Sequence, residues 1–80
     1  MLSTIPKDKL IIGLKQTKKA VTAGLVQRLY LARNCDPMIS EPLEDVAQRA
    51  GLQINYVDTM KELGAMCSIN VGASCAAVLK

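Results

Sequence analysis

Four short apolar runs, separated by glycine-bounded segments of helical periodicity, constrain this chain more than any other feature. Leu10–Ile12 is the first run and stops at Gly13. Residues 14–23 then repeat at helical spacing, with Leu14, Thr17 and Val21 on one face and Lys15, Lys18 and Lys19 on another, until Gly24 closes the segment. Val26–Ala32 alternates poorly but is rich in strand formers, which suits a buried strand. Asn34, Asp36 and Pro37 mark a loop. The pattern predicts a second helix from about Ser40 to Ala50, with Pro42 near its first turn and Glu41, Glu44 and Asp45 complementing its dipole. Leu43, Val46, Ala47 and Ala50 would face inward, and Gly51 would end the helix.

Ile54–Val57 is the third run, followed by a third helix over about residues 60–67, capped by Asp58 or Thr59 with Leu63 and Met66 inward. A loop at 68–72 leads to residues 73–79. Alanine dominates that last stretch and favours helix by propensity. Its shortness and the alternation before it favour a buried closing strand. Strands alternating with helices imply an α/β domain, a sheet with helices on both faces.

Eighty residues suffice for one domain, residues 1–80, and half of them are hydrophobic, enough for a single core. No apolar run reaches the ~18 residues that span a bilayer, so no membrane partner is expected. Residues 1–9 include Pro6 and Asp8 and lack a long apolar stretch, so they are not expected to act as a secretory signal. Cys35, Cys67 and Cys75 are odd in number and widely spaced, which fits a reducing, cytoplasmic setting and neither disulfide staples nor zinc. Their expected role is as buried or half-buried packing.

Catalytic constellations are hard to assemble. The chain has no histidine, so the commonest general base and the histidine-based nucleophile systems are missing. Leu14 follows Gly13 where a phosphate-binding loop needs lysine, and no Gly-x-Gly-x-x-Gly occurs. Asp58 follows a strand as a phosphoacceptor aspartate would, but no acidic pair follows the first strand. A redox role for Cys67 is a remote reading. No enzyme, metal or cofactor is expected.

Charge is distributed unevenly. The net charge is only +3, yet residues 1–33 carry seven lysines and arginines against Asp8 alone, and residues 34–60 carry five acids against Arg49. One face should therefore attract polyanions. The segment Gly13-Leu14-Lys15-Gln16-Thr17-Lys18-Lys19 concentrates that tendency. A glycine at a strand-to-helix junction admits close backbone approach, and the first helical turn exposes N–H groups that suit phosphate. Gln16 both donates and accepts, as reading a base edge requires, and the three lysines project beside it. The plain alternative is a solvated lysine face.

This segment resembles the Gly-x-Asn-Glu-x-x-Lys signature of the L7Ae family of kink-turn-binding ribosomal proteins. Three further stretches fit in order: Ala32-Arg33-Asn34-Cys35-Asp36-Pro37, Thr59-Met60-Lys61-Glu62-Leu63-Gly64 and Ile69-Asn70-Val71-Gly72-Ala73. Together they cover about residues 10–80, and the chain looks like a small bacterial-type member. The resemblance implies a three-layer α/β/α sandwich around a mixed sheet, no enzymatic activity and, as ligand, a sharply bent RNA with tandem sheared G·A pairs beside a short bulge. On the matched positions Gly13, Lys15 and Gln16 would meet the G·A pairs, and Lys19 would hold phosphate or a guanine edge. Leu14 and Lys18 would share that surface, and Ile69, Asn70, Val71 and Gly72 would cover the flipped-out bulge nucleotide, with Ile69 and Val71 as the apolar surface. The absence of Phe and Trp fits, since single-strand binders stack bases on aromatic side chains.

Where many members carry Asn-Glu, this chain has Lys15-Gln16. Glutamate only accepts hydrogen bonds, glutamine offers one acceptor and one donor group, and lysine cannot accept at all. Affinity and preferred bulge sequence should shift accordingly. The expected partner is structured RNA, in the ribosome, a riboswitch or elsewhere, bound by a monomer. The competing reading is a protein–protein adaptor that keeps the fold and uses the acidic helix from Glu41 to Arg49 as its contact surface.

Overall fold

The computed structural model describes residues 4–80; Met1 to Ser3, at the start of the segment read as lacking a secretory signal, lie outside them. A short 3-10 turn, Lys7–Lys9, leads into strand β1, Leu10–Ile12. Helix α1 spans Leu14–Thr22, strand β2 Val26–Ala32, helix α2 Pro37–Ala50, strand β3 Ile54–Val57, helix α3 Met60–Met66 and strand β4 Cys75–Leu79. The sheet order is β1-β4-β2-β3, with β4 antiparallel to both of its neighbours and β2 parallel to β3.

Topology dictates the layers. Both parallel crossovers, β1-α1-β2 and β2-α2-β3, advance in the same direction across the sheet. Right-handed connections therefore put α1 and α2 on one face, where they pack against each other. The third helix, α3, packs on β2, β3 and β4. Helices thus flank a mixed sheet, a three-layer α/β/α arrangement.

Strand β4 lies between β1 and β2, and Cys75, Ala76, Ala77 and Val78 are all buried. Small side chains there let helices approach from both sides, which is why an alanine-rich stretch is a strand despite its helical propensity. The strand starts at Cys75, two residues later than the sequence implies, because Ala73 donates its N–H to Met60 rather than to a strand neighbour. The poor alternation of β2 also has a cause. A register shift between Val26 and Arg28 leaves Gln27 as the extra residue of a bulge, so Val26 and Leu29 share a face although three positions apart. Both are buried.

Helix α2 corrects the sequence reading. It begins at Pro37, not Ser40, because the Asp36 carboxylate accepts the Met38 N–H at 2.9 Å and Pro37 occupies the first turn. Pro42 is consequently inside the helix. The carbonyl that its missing N–H leaves unpaired belongs to Met38, which is 81% exposed, so water can supply the donor. Glu41, Glu44 and Asp45 lie beyond the first turn, and Ala50 is exposed while Leu43 and Ala47 are buried. Of the two candidate caps for α3, Thr59 is the one used: its hydroxyl accepts the Glu62 N–H at 3.1 Å. Helices α1 and α3 each end one residue earlier than expected, at Thr22 and Met66.

Candidate nucleic-acid interface

Parallel strands β1, β2 and β3 end on the same side of the molecule, and β4, running the other way, begins there. Loops at the carboxyl ends of parallel strands are where open α/β sheets bind ligands. Here backbone hydrogen bonds tie those loops together. Gly13 donates to the Cys75 carbonyl at 3.1 Å, Ala32 to Ser74 at 2.9 Å, Arg33 to Val57 at 2.8 Å and Ala73 to Met60 at 2.9 Å. The two predicted contact segments, residues 13–19 and 69–72, therefore share one end of the fold.

Gly13 has φ 103° and ψ 152°, a backbone conformation essentially reserved for glycine, and it turns the chain from β1 into α1. Leu14 is half-buried; Thr17 and Val21 are fully buried and fasten α1 to the sheet. With that face fixed, Lys15, Gln16, Lys18 and Lys19 must point outward, and all four are exposed. No side chain caps this helix, its first turn has no acid, and none of its lysines has an ion-pair partner among the described residues. Lys15, Lys18, Lys19, Thr22 and Ala23 border one shallow open depression. Gln16 and Lys19 border another with Ile11, Ala20, Ala23, Leu25 and Leu79. Lys19 is shared between them.

The four loop residues differ among themselves. Ile69 is half-buried and packs against the core, whereas Asn70 and Gly72 are exposed and Val71 is 70% exposed. Only Val71 offers a large apolar surface to a ligand. Met38 is a feature that sequence reasoning missed. It lies in the first turn of α2 at the same end of the sheet, and its sequence gives no sign of this because the helical pattern becomes evident only from Ser40.

Burial pushes all three thiols up from their ordinary pKa. Cys75 is the deepest, and the neighbouring Ser74 hydroxyl and the fully buried Thr17 hydroxyl, which makes no well-formed hydrogen bond among the described residues, oppose the effect of burial without overcoming it. A raised pKa leaves little thiolate at neutral pH. A thiol reagent should accordingly label the folded protein slowly and all three cysteines quickly once it is unfolded; one fast-labelling thiol in the native state would contradict this. Among the described residues no group of Cys, Asp and Glu able to hold a metal occurs, and no helix there is long and apolar enough to cross a membrane.

Comparison with known proteins adds to this geometry. The sequence profile of the ribosomal protein L7Ae/L30e/S12e/Gadd45 family matches residues 3–80. An RNA-binding protein of Caldanaerobacter subterraneus is 42% identical over 69 residues, covering 86% of this chain and 84% of that protein. The RNA-binding protein YbxF of Geobacillus stearothermophilus is 38% identical over 72 residues, covering 90% and 88%. Among solved structures, a 15.5 kD RNA-binding protein of Giardia lamblia superposes with a TM-score of 0.84 at 22% identity, covering 91% of this chain and 62% of that one. At that identity the likeness shows the fold.

Proposed function

Because this chain belongs to the ribosomal protein L7Ae/L30e/S12e/Gadd45 family, as a small bacterial-type member, we propose that it binds a kink-turn-type RNA and stabilises its bent form. The observation that carries the reading is α1: an uncapped helix N-terminus at a glycine-only turn, with Gln16 and three unpaired lysines on the outward face. The N-terminal N–H groups and the lysines supply phosphate contacts, which position the RNA, and Gln16 supplies a base-edge contact, which selects it. Regular A-form helices bury their major-groove edges, so the target is irregular RNA, and the sheared G·A pairs of a kink-turn present edges that a helix can reach. Gly13, Leu14, Lys15 and Gln16 face those pairs in this reading, with Lys18 and Lys19 on the phosphates. Ile69, Asn70, Val71 and Gly72 cover the bulge nucleotide, Val71 providing the apolar surface. Three buried free thiols suit a protein working in the reducing cytoplasm.

On the acidic helix that an adaptor would present, Glu44 accepts a 2.5 Å hydrogen bond from Tyr56 and Asp45 pairs with Arg49 at 3.4 Å, both exposed contacts that a partner could replace. Partners that stay bound after nuclease treatment would favour that role over RNA binding.

Binding to a kink-turn RNA and to the same strands paired as a straight duplex tests the proposal. The kink-turn should win at every salt concentration, and its affinity should fall steeply as salt rises. Lys19→Ala should reduce the slope of log affinity against log salt by about one phosphate contact. Equal affinity for the two RNAs would reject the proposal; an unchanged slope would remove Lys19 from the phosphate surface.

A further inference from the structure

The 69–72 loop reaches its position by resting directly on the backbone of α3. At Gly64, which is buried, the Val71 carbonyl occupies the space where a side chain would begin. A methyl group there would overlap the Val71 carbonyl oxygen and stand 3.0 Å from the Val71 carbonyl carbon and 3.1 Å from Gly72 Cα. These are all loop backbone atoms, so no rotamer change relieves the crowding. One turn earlier the arrangement is reciprocated. A methyl at Gly72 would stand 3.1 Å from Met60 Cβ and 3.3 Å from the Met60 carbonyl carbon. Hydrogen bonds close both ends of the seat: Ile69 donates to the Gly64 carbonyl at 3.0 Å and Ala73 to the Met60 carbonyl at 2.9 Å. Met60 is itself fixed, since its N–H donates to Asn34 Oδ1 at 2.8 Å.

We infer that Gly64 is a positioning residue for RNA recognition: its bare Cα seats the Val71 carbonyl on α3 and so sets where the Val71 side chain stands relative to α1. The inference rests on the proposed role of that loop in kink-turn binding. What moves when the seat is filled follows from burial. Helix α3 is anchored by Leu63, which is fully buried, by the Thr59 cap and by Asn34. The far end of the loop is anchored by Ala73 and Cys75, both buried in the core. Asn70, Val71 and Gly72 are exposed and have the least holding them. They are the part that yields.

Gly64→Ala should therefore leave a folded domain whose loop is displaced. Its affinity for the kink-turn should drop roughly tenfold, about what losing one buried valine at an interface is worth. Affinity for a straight duplex at low salt, and the salt slope, should stay as in the wild type, because the lysine face of α1 is untouched. A purely structural defect would lower both affinities in parallel, and that result would overturn the inference. So would undiminished kink-turn preference in a Gly64→Ala protein whose wild type discriminates. Wild-type protein that binds both RNAs equally would instead overturn the RNA reading itself. Should Gly64→Ala fail to fold, Asn34→Ala loosens the same seat from outside the loop. Its Ile69 and Ala73 amides should exchange hydrogen faster in the free protein and its kink-turn preference should shrink; unchanged exchange and preference would overturn the inference as well.

Discussion

Leu29→Ala should destabilise the domain by about 2–5 kcal/mol, a large share of the roughly 5–15 kcal/mol that holds a small domain together. Leu29 is fully buried at the middle of β2, paired with Ala77 of β4 on one side and Ile54 of β3 on the other. Its direct partner on β4 is Ala77, which has no side-chain length with which to refill the space. The cost should therefore fall in the upper part of the range, since the penalty grows with the cavity left behind. Urea unfolding monitored by circular dichroism would measure it as a lowered midpoint with an unchanged slope. Loss of less than about 1 kcal/mol would mean that the α1 and α2 layer closes over the gap that Ala77 cannot fill.

The same packing explains which parts of the molecule were legible in the sequence. Strands β1, β2 and β3 carry apolar runs bounded by turn residues, and all three lie where those runs predict. Strand β4 was readable only by context, because being buried on both faces erases the alternation that marks a strand. Helix α2 starts one turn before the position the sequence suggests, because two prolines are present and either could occupy a first turn. What decides is the carboxylate of Asp36 reaching the Met38 N–H, a contact that composition does not encode. The contact surface divides in the same way. Lys15, Gln16, Lys18 and Lys19 were legible because helical spacing puts them opposite Thr17 and Val21. Ile69 and Val71 looked alike in sequence, yet one packs on the core and the other faces solvent. The seat at Gly64 was illegible, because it depends on how closely a distant loop approaches.

Gln16→Ala should weaken kink-turn binding by about 1–3 kcal/mol, roughly 5- to 150-fold, the usual scale of a base-edge contact. The side chain is neutral and exposed on the first turn of α1, with Thr17 beside it fixing the helix to the sheet. Its removal leaves all three lysines and the helix N-terminus in place, so general attraction to phosphate should survive. That separates it from Lys19→Ala, which changes the salt slope. An RNA whose G·A pairs are replaced by Watson–Crick pairs should already bind the wild type weakly, and the substitution should hardly change that weak binding. Gln16→Glu is the informative companion, because it restores the acceptor-only group many family members carry at this position. If Gln16 accepts from guanine N–H groups, the glutamate should bind as well as or better than glutamine despite adding negative charge. If Gln16 instead donates to an acceptor edge, glutamate should be worse than alanine. Equal losses for the kink-turn and its Watson–Crick counterpart in Gln16→Ala would show that this side chain reads no base, leaving α1 as a charged surface only.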